Sequence, residues 1–158
     1  YFSSVLGCNL GMFYKRRDYT RVVNGRNPIV AHEYLGDSVE GKTVFIADDI
    51  IASGESMLEV ASNLKARGAG RIIANATFPL FTSGLEKFDQ AVAEGKLDYV
   101  VGTNLTYRQP ELLTRDWYVD VDVSKYAAYF VVALNHDMSV SSIIDPIKKI
   151  EALLAKRK

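Results

Sequence analysis

The sequence predicts an α/β protein, a mostly parallel central sheet with helices on both faces. Three observations carry that reading. Stretches with strand character alternate along the chain with stretches of helical period, the pattern of βαβ units. Val44–Asp48 (VFIAD) is an unbroken apolar run, as in strands covered on both faces. At 158 residues, 48% hydrophobic and 24% charged, the chain has the size and composition of a single globular domain with a real core.

The elements follow in order. Leu10–Lys15 (LGMFYK) reads as a short strand running into the basic cluster Lys15-Arg16-Arg17. Residues 18–28 are polar and end in Asn-Pro, a loop. Ile29–Leu35 (IVAHEYL) alternates and reads as a half-buried strand. After Val44–Asp48, Ser53 is a good N-cap for a helix from Glu55 to Arg67. Met57, Leu58, Ala61 and Leu64 form its apolar stripe, and Gly68 stops it. Arg71–Phe78, Asp98–Thr103 and Tyr118–Val121 read as strands, and Gly84–Glu94, Ser124–Asn135 and Asp145–Lys156 as helices.

Charge and cysteine content narrow the class. Lys plus Arg and Asp plus Glu number 19 each, so no whole-chain field points to nucleic acid or a membrane surface. No apolar run approaches the ~18–20 residues of a membrane span. A single cysteine, Cys8, rules out an internal disulfide and fits a cytoplasmic setting. His32 and His136 have no ligand at metal spacing and read as structural or surface residues. The start at Tyr1, with no initiator Met, leads to the expectation that the chain is part of a longer protein.

Gly36–Thr43 (GDSVEGKT) matches the P-loop pattern letter for letter. Physics rejects it. A P-loop needs a helix directly after Lys-Thr, so that the helix N-terminus faces the phosphates. Here strand residues follow Lys42-Thr43, and Asp37 and Glu40 would repel phosphate. A surface turn between two strands is expected.

Asp48, Asp49 and the segment Ala52–Ser56 carry the chemistry. A strand, a turn and a helix N-terminus make an anion site, because the amides of the first helical turn have no partner within the helix. Ser53 and Ser56 can donate hydroxyl hydrogen bonds to the same anion. Asp48 and Asp49 suit hydroxyl groups or a hydrated Mg²⁺. Phosphate at one end and vicinal hydroxyls at the other suit a sugar phosphate. A capped helix beside two solvated aspartates is the plainer alternative from residue chemistry alone.

VFIADDIIASGESM resembles the ribose-phosphate binding motif of the type I phosphoribosyltransferase fold, an apolar strand leading into Asp-Asp-x-x-Asp-Thr-x-Gly-Thr. The wider context is similar to the C-terminal half of ribose-phosphate pyrophosphokinase (PRPP synthetase). Lys15-Arg16-Arg17, Glu40-Gly41-Lys42-Thr43, Ala76–Gly84 and Val100–Asn104 echo that family's segments in order. Four positions depart from the motif. Ala52 stands at its third acid, Ser53 and Ser56 at its threonines, and Glu55 at its glycine. The connection from Arg17 to Gly41, carrying Asn24–Pro28, is also longer.

The resemblance implies a single domain, residues 1–158, forming the ribose-5-phosphate-binding half of a two-domain enzyme. That enzyme transfers diphosphate from ATP to ribose 5-phosphate with Mg²⁺. Lys15 and Arg17 would stabilise the transferring group, and Asp48 and Asp49 would hold ribose hydroxyls, directly or through Mg²⁺. Ser53, Gly54, Glu55 and Ser56 would wrap the 5-phosphate. No general base is assigned. A homo-oligomer in the cytoplasm is expected, with no nucleic acid or membrane partner. Two other readings stand beside it: a free-standing type I phosphoribosyltransferase using PRPP, and a non-catalytic regulatory homologue, which Ala52 and Glu55 favour.

Overall fold

The computed structural model describes residues 1–17 and 29–156, with the side chains of residues 15–17 and 29–32 outside that description. The loop expected at 18–28, with Asn24–Pro28, therefore lies outside the described residues. The chain divides into two compact units, Tyr1–Ser38 with Lys149–Lys158, and Val39–Lys148.

The first unit contains a short helix α1 (Phe2–Leu6) and an antiparallel pair, β1 (Met12–Arg17) with β2 (Ile29–Leu35). Strand β2 has the expected bounds, whereas β1 begins two residues later than Leu10. Lys15 pairs with His32 and Arg17 with Ile29, and the register shifts between Arg16 and Arg17.

The second unit is an open, fully parallel sheet in the order β3-β4-β5-β6, flanked by helices. Its elements are β3 (Thr43–Ile51), α2 (Glu55–Ala66), β4 (Arg71–Pro79), α3 (Glu86–Ala93), β5 (Tyr99–Thr103), β6 (Tyr118–Val121), α4 (Ser124–Asn135) and α5 (Ser141–Ile144). Helix α6 (Ile147–Ala155) ends the described chain. The core lies on one face of the sheet, where Ile72, Ala74, Ala76 and Val100 have no exposed surface. Met57, Ala61 and Leu64 from α2, and Phe88 and Ala91 from α3, are buried with them. This is the α2 stripe expected from sequence, except that Leu58 is only half-buried.

Three expectations need correction. Strand β3 does not end at Asp48 but runs on to Ile51. Nor is it covered on both faces: it is the outermost strand of its sheet, and Phe45 is 47% and Ile50 44% exposed. Third, the N-cap of α2 is Gly54 rather than Ser53. A backbone turn at φ 80° occupies the position where a side-chain cap was expected.

The turn reading of Gly36–Thr43 holds. Thr43 opens β3, and Gly41 (φ 67°) donates its amide to the Gly68 carbonyl. No helix among the described residues is long and apolar enough to cross a membrane.

Candidate functional site

The turn between β3 and α2 is held by backbone bonds and by an aromatic floor. The Leu80 and Phe81 amides donate to the Ile51 carbonyl at 2.9 and 3.2 Å, and the Thr82 amide donates to the Ala52 carbonyl at 2.9 Å. The end of β3 is thereby tied to the loop after β4. Gly54 is required twice over. Its φ of 80° is left-handed, and a Cβ there would lie 2.3 Å from ring atoms of Phe88. Phe88 is fully buried, edge-on to Phe81 at 4.9 Å and stacked on Trp117 at 5.8 Å. Trp117 is fixed in turn, its indole N–H donating to Asp89 Oδ1 at 2.7 Å beside the Arg115 Nε–H at 2.9 Å.

Because the N-cap is glycine, it offers α2 no side-chain oxygen. The first backbone bond of the helix runs from the Leu58 amide to the Gly54 carbonyl at 2.9 Å, so the amides of Ser56 and Met57 precede the helical ladder. Ser53 Oγ accepts the Glu55 amide at a long 3.4 Å. Glu55 and Ser56 are exposed. A helix start of this kind presents N–H groups and the positive end of the helix dipole to solvent, which suits an anion. The Glu55 carboxylate meets Lys87 of α3, with Oε1 2.7 Å from Nζ.

Asp48 and Asp49 are exposed residues of β3, just before the turn. Asp48 Oδ1 accepts the Asp49 amide at 2.9 Å. Strand alternation directs the two side chains to opposite sides of the sheet. Lys15 and Arg17 lie on β1, in the other unit, and their side chains lie outside the described residues.

Two features escaped the sequence reading. Lys87 is 32 residues from Glu55, so no local pattern links them. The second is a bracket at the carboxyl ends of β5 and β6. Asn104 Nδ2 donates to Asp122 Oδ1 at 2.7 Å and to Ser124 Oγ at 2.8 Å, while Asn104 Oδ1 accepts the Val123 amide at 2.9 Å. Hydrogen bonds from the Ser124 hydroxyl and amide, and from Asn104, hold the Asp122 carboxyl below the usual carboxylate range.

Residues 2–105 match the model of the phosphoribosyl transferase domain. The chain belongs to that family. Within the phosphoribosyl transferase domain family it is similar to ribose-phosphate pyrophosphokinases. It is 36% identical to that of Wolinella succinogenes over 105 residues, covering 66% of this chain and 30% of the relative. It is 28% identical to that of Shewanella oneidensis over 135 residues, covering 85% of this chain and 40% of the relative. This phosphoribosyl transferase domain chain thus spans well under half the length of those relatives. The crystal structure of phosphoribosylpyrophosphate synthetase from Mycobacterium smegmatis superposes with a TM-score of 0.63 at 22% identity, covering 86% of this chain and 40% of that one. That likeness shows the shared fold.

Mg²⁺ is the ion the resemblance implies. No group of three or more His, Cys, Asp or Glu among the described residues could hold a metal by itself. Mg²⁺ usually keeps several waters and is bound through one or two carboxylates plus substrate oxygens. The exposed carboxylate of Asp48 or of Asp49 fits that requirement singly, since strand alternation directs the two to opposite sides of the sheet.

Proposed function

We propose that this chain is the ribose-5-phosphate-binding part of a PRPP synthetase-like enzyme, a transferase moving the β,γ-diphosphoryl group of ATP to the 1-hydroxyl of ribose 5-phosphate. The 1-hydroxyl loses its proton to water as its oxygen bonds to the β-phosphorus, the bond from the β-phosphorus to the α-β bridging oxygen breaks, and AMP leaves with that oxygen. The observation that carries the reading is the glycine-capped turn, whose Ser56 and Met57 amides precede the helical ladder, set just after Asp48 and Asp49 in a phosphoribosyl transferase domain.

Each residue has a role in this reading. The amides of the Ser53–Ser56 segment and the two serine hydroxyls bind the 5-phosphate. Asp48 and Asp49 orient the ribose hydroxyls, or one of the two holds Mg²⁺ against them. When bound, Mg²⁺ neutralises charge on the phosphoryl oxygens. Lys15 and Arg17 supply positive charge to the diphosphoryl group as it transfers, Arg17 through paired N–H donors and Lys15 as a mobile point charge. The proposal includes a larger two-domain protein, of which this chain is the C-terminal half, acting as a cytoplasmic homo-oligomer.

The test is the release of AMP from ATP and ribose 5-phosphate by the full-length protein. Lys15→Ala and Arg17→Ala should each lower kcat by ~100-fold and change the KM for ribose 5-phosphate little, because they face charge that develops only in the transition state. Small and equal effects at Lys15, Arg16 and Arg17 would return the cluster to a solvated face. Ala52 and Glu55 favour one other reading, a regulatory homologue. Ribose 5-phosphate binding without AMP release would decide for it.

A further inference from the structure

We propose that Lys87 is a charge-compensating residue of the phosphate turn, positioning the Glu55 carboxylate and neutralising it so that the open amides of α2 retain affinity for a phosphate dianion. The inference rests on the phosphate role given to residues 53–56. It answers an electrostatic problem that this role creates. Glu55 is the first residue of α2, and it stands where the resembled motif has a glycine. A carboxylate at the first turn is favourable for a bare helix but repels an anion arriving at the same amides.

The geometry couples the two sides of the turn through adjacent residues. Gly54 and Glu55 are neighbours in α2's entry, and Lys87 and Phe88 are neighbours in α3. Phe88 fills the space beneath Gly54 and fixes the backbone of the turn. Lys87, one residue earlier, reaches Glu55 Oε1 at 2.7 Å. One turn of α3 therefore sets both the shape of the phosphate turn and the charge beside it. The pair is exposed, with side-chain accessibilities of 53% for Lys87 and 66% for Glu55. At that exposure it contributes little to folding stability. Its effect falls instead on a charged ligand within a few ångströms, and it weakens with salt.

The experiment is a titration of the 158-residue chain with inorganic phosphate, followed by amide chemical shifts at residues 53–56, at low and high salt. Lys87→Met should weaken binding roughly fivefold at low salt and much less at high salt. Glu55→Gln should tighten binding several-fold. In the Glu55→Gln background the Lys87→Met penalty should shrink, because no carboxylate remains to be held away from the amides and only the direct attraction of the Lys87 cation is left. Lys87→Arg, which keeps the cation, should stay within about twofold of wild type. A structural role for Lys87 would not produce this pattern, since its penalty would persist at full size without the Glu55 charge. Thermal unfolding of each variant separates folding from binding, and Glu55→Gln tests the idea even if Lys87→Met unfolds. If phosphate shifts residues 53–56 and Lys87→Met or Glu55→Gln changes nothing, the compensation is overturned while the phosphate turn stands. A Lys87→Met penalty of equal size in both backgrounds also overturns it. If phosphate leaves residues 53–56 unshifted in every variant, the phosphate turn and the compensation fall together.

Discussion

Two helices begin at the carboxyl edge of the same parallel sheet, and their first turns are built differently. Helix α4 follows β6 and opens at Ser124. Two residues earlier stands Asp122, whose Oδ1 accepts the Ser124 amide at 2.8 Å. Asn104 Oδ1 accepts the Val123 amide beside it. At α2 the corresponding residue is Ser53, 3.4 Å from the Glu55 amide, and the next is Gly54. A carboxylate of the chain itself thus occupies the start of α4, while the start of α2 keeps a small hydroxyl and a bare glycine. The difference teaches what distinguishes a helix start that only needs capping from one suited to a ligand. Internal carboxylate and external anion compete for the same amides, so a chain that fills the place with aspartate gives up the ligand.

The comparison breaks most severely at Gly54. Gly54→Val puts a β-branched residue at positive φ and drives Cβ and its methyls into Phe88. The expected loss is about 3 kcal/mol, seen as a fall of roughly 10 °C in thermal midpoint together with loss of phosphate binding. A variant that is destabilised this far and still binds phosphate like wild type would show that the aromatic floor is not what shapes the turn.

The next test turns one helix start into the other. Ser53→Asp recreates at α2 the arrangement of Asp122 at α4. It should stabilise the helix by about 0.5–1 kcal/mol while lowering affinity for inorganic phosphate tenfold or more. Calorimetry and an NMR titration on the same sample would measure both. If stability and phosphate affinity rise together, the two helix starts are not competing for an anion in the way described.

The smallest effect is at α4. Asp122 has a lowered pKa in the folded chain, so its contribution is present above the ordinary carboxylate range and is lost as pH falls through the folded value. Asp122→Ser should therefore lower the thermal midpoint at neutral pH, by less than Gly54→Val does. The gap from wild type should close as pH drops below about 4. A gap that stays constant with pH would mean the carboxylate's charge is not what caps the helix.

Much of the fold was legible because its signals are local and periodic. Apolar spacing marked α2 and alternation marked β2, and β2, β4 and β6 were read with the observed bounds or nearly so. The short helices α1 and α5 were not legible, since four or five residues carry too little period to register. The end of β3 was misplaced because two aspartates look like a terminus, yet on an outer strand they can remain in register and solvated. The candidate site was legible as a turn with serine and glycine, but not in its cap. Choosing Gly54 over Ser53 depends on Phe88, 34 positions later in the chain. Lys87 beside Glu55, and Asn104 bracing Asp122, are likewise products of tertiary structure that no spacing rule reports.

The aromatic floor has an optical consequence. Trp117 is the chain's one tryptophan, 6% exposed, and it stacks on the ring that underlies Gly54. Indole emission depends on nearby charge, polarity and solvent access, and here the emitter sits one aromatic ring away from the turn. Its N–H is also held by Asp89, so a shift of α3 changes the emitter's surroundings directly. The protein therefore carries an intrinsic fluorescent gauge of its own candidate site, readable without any label and from a single emitter.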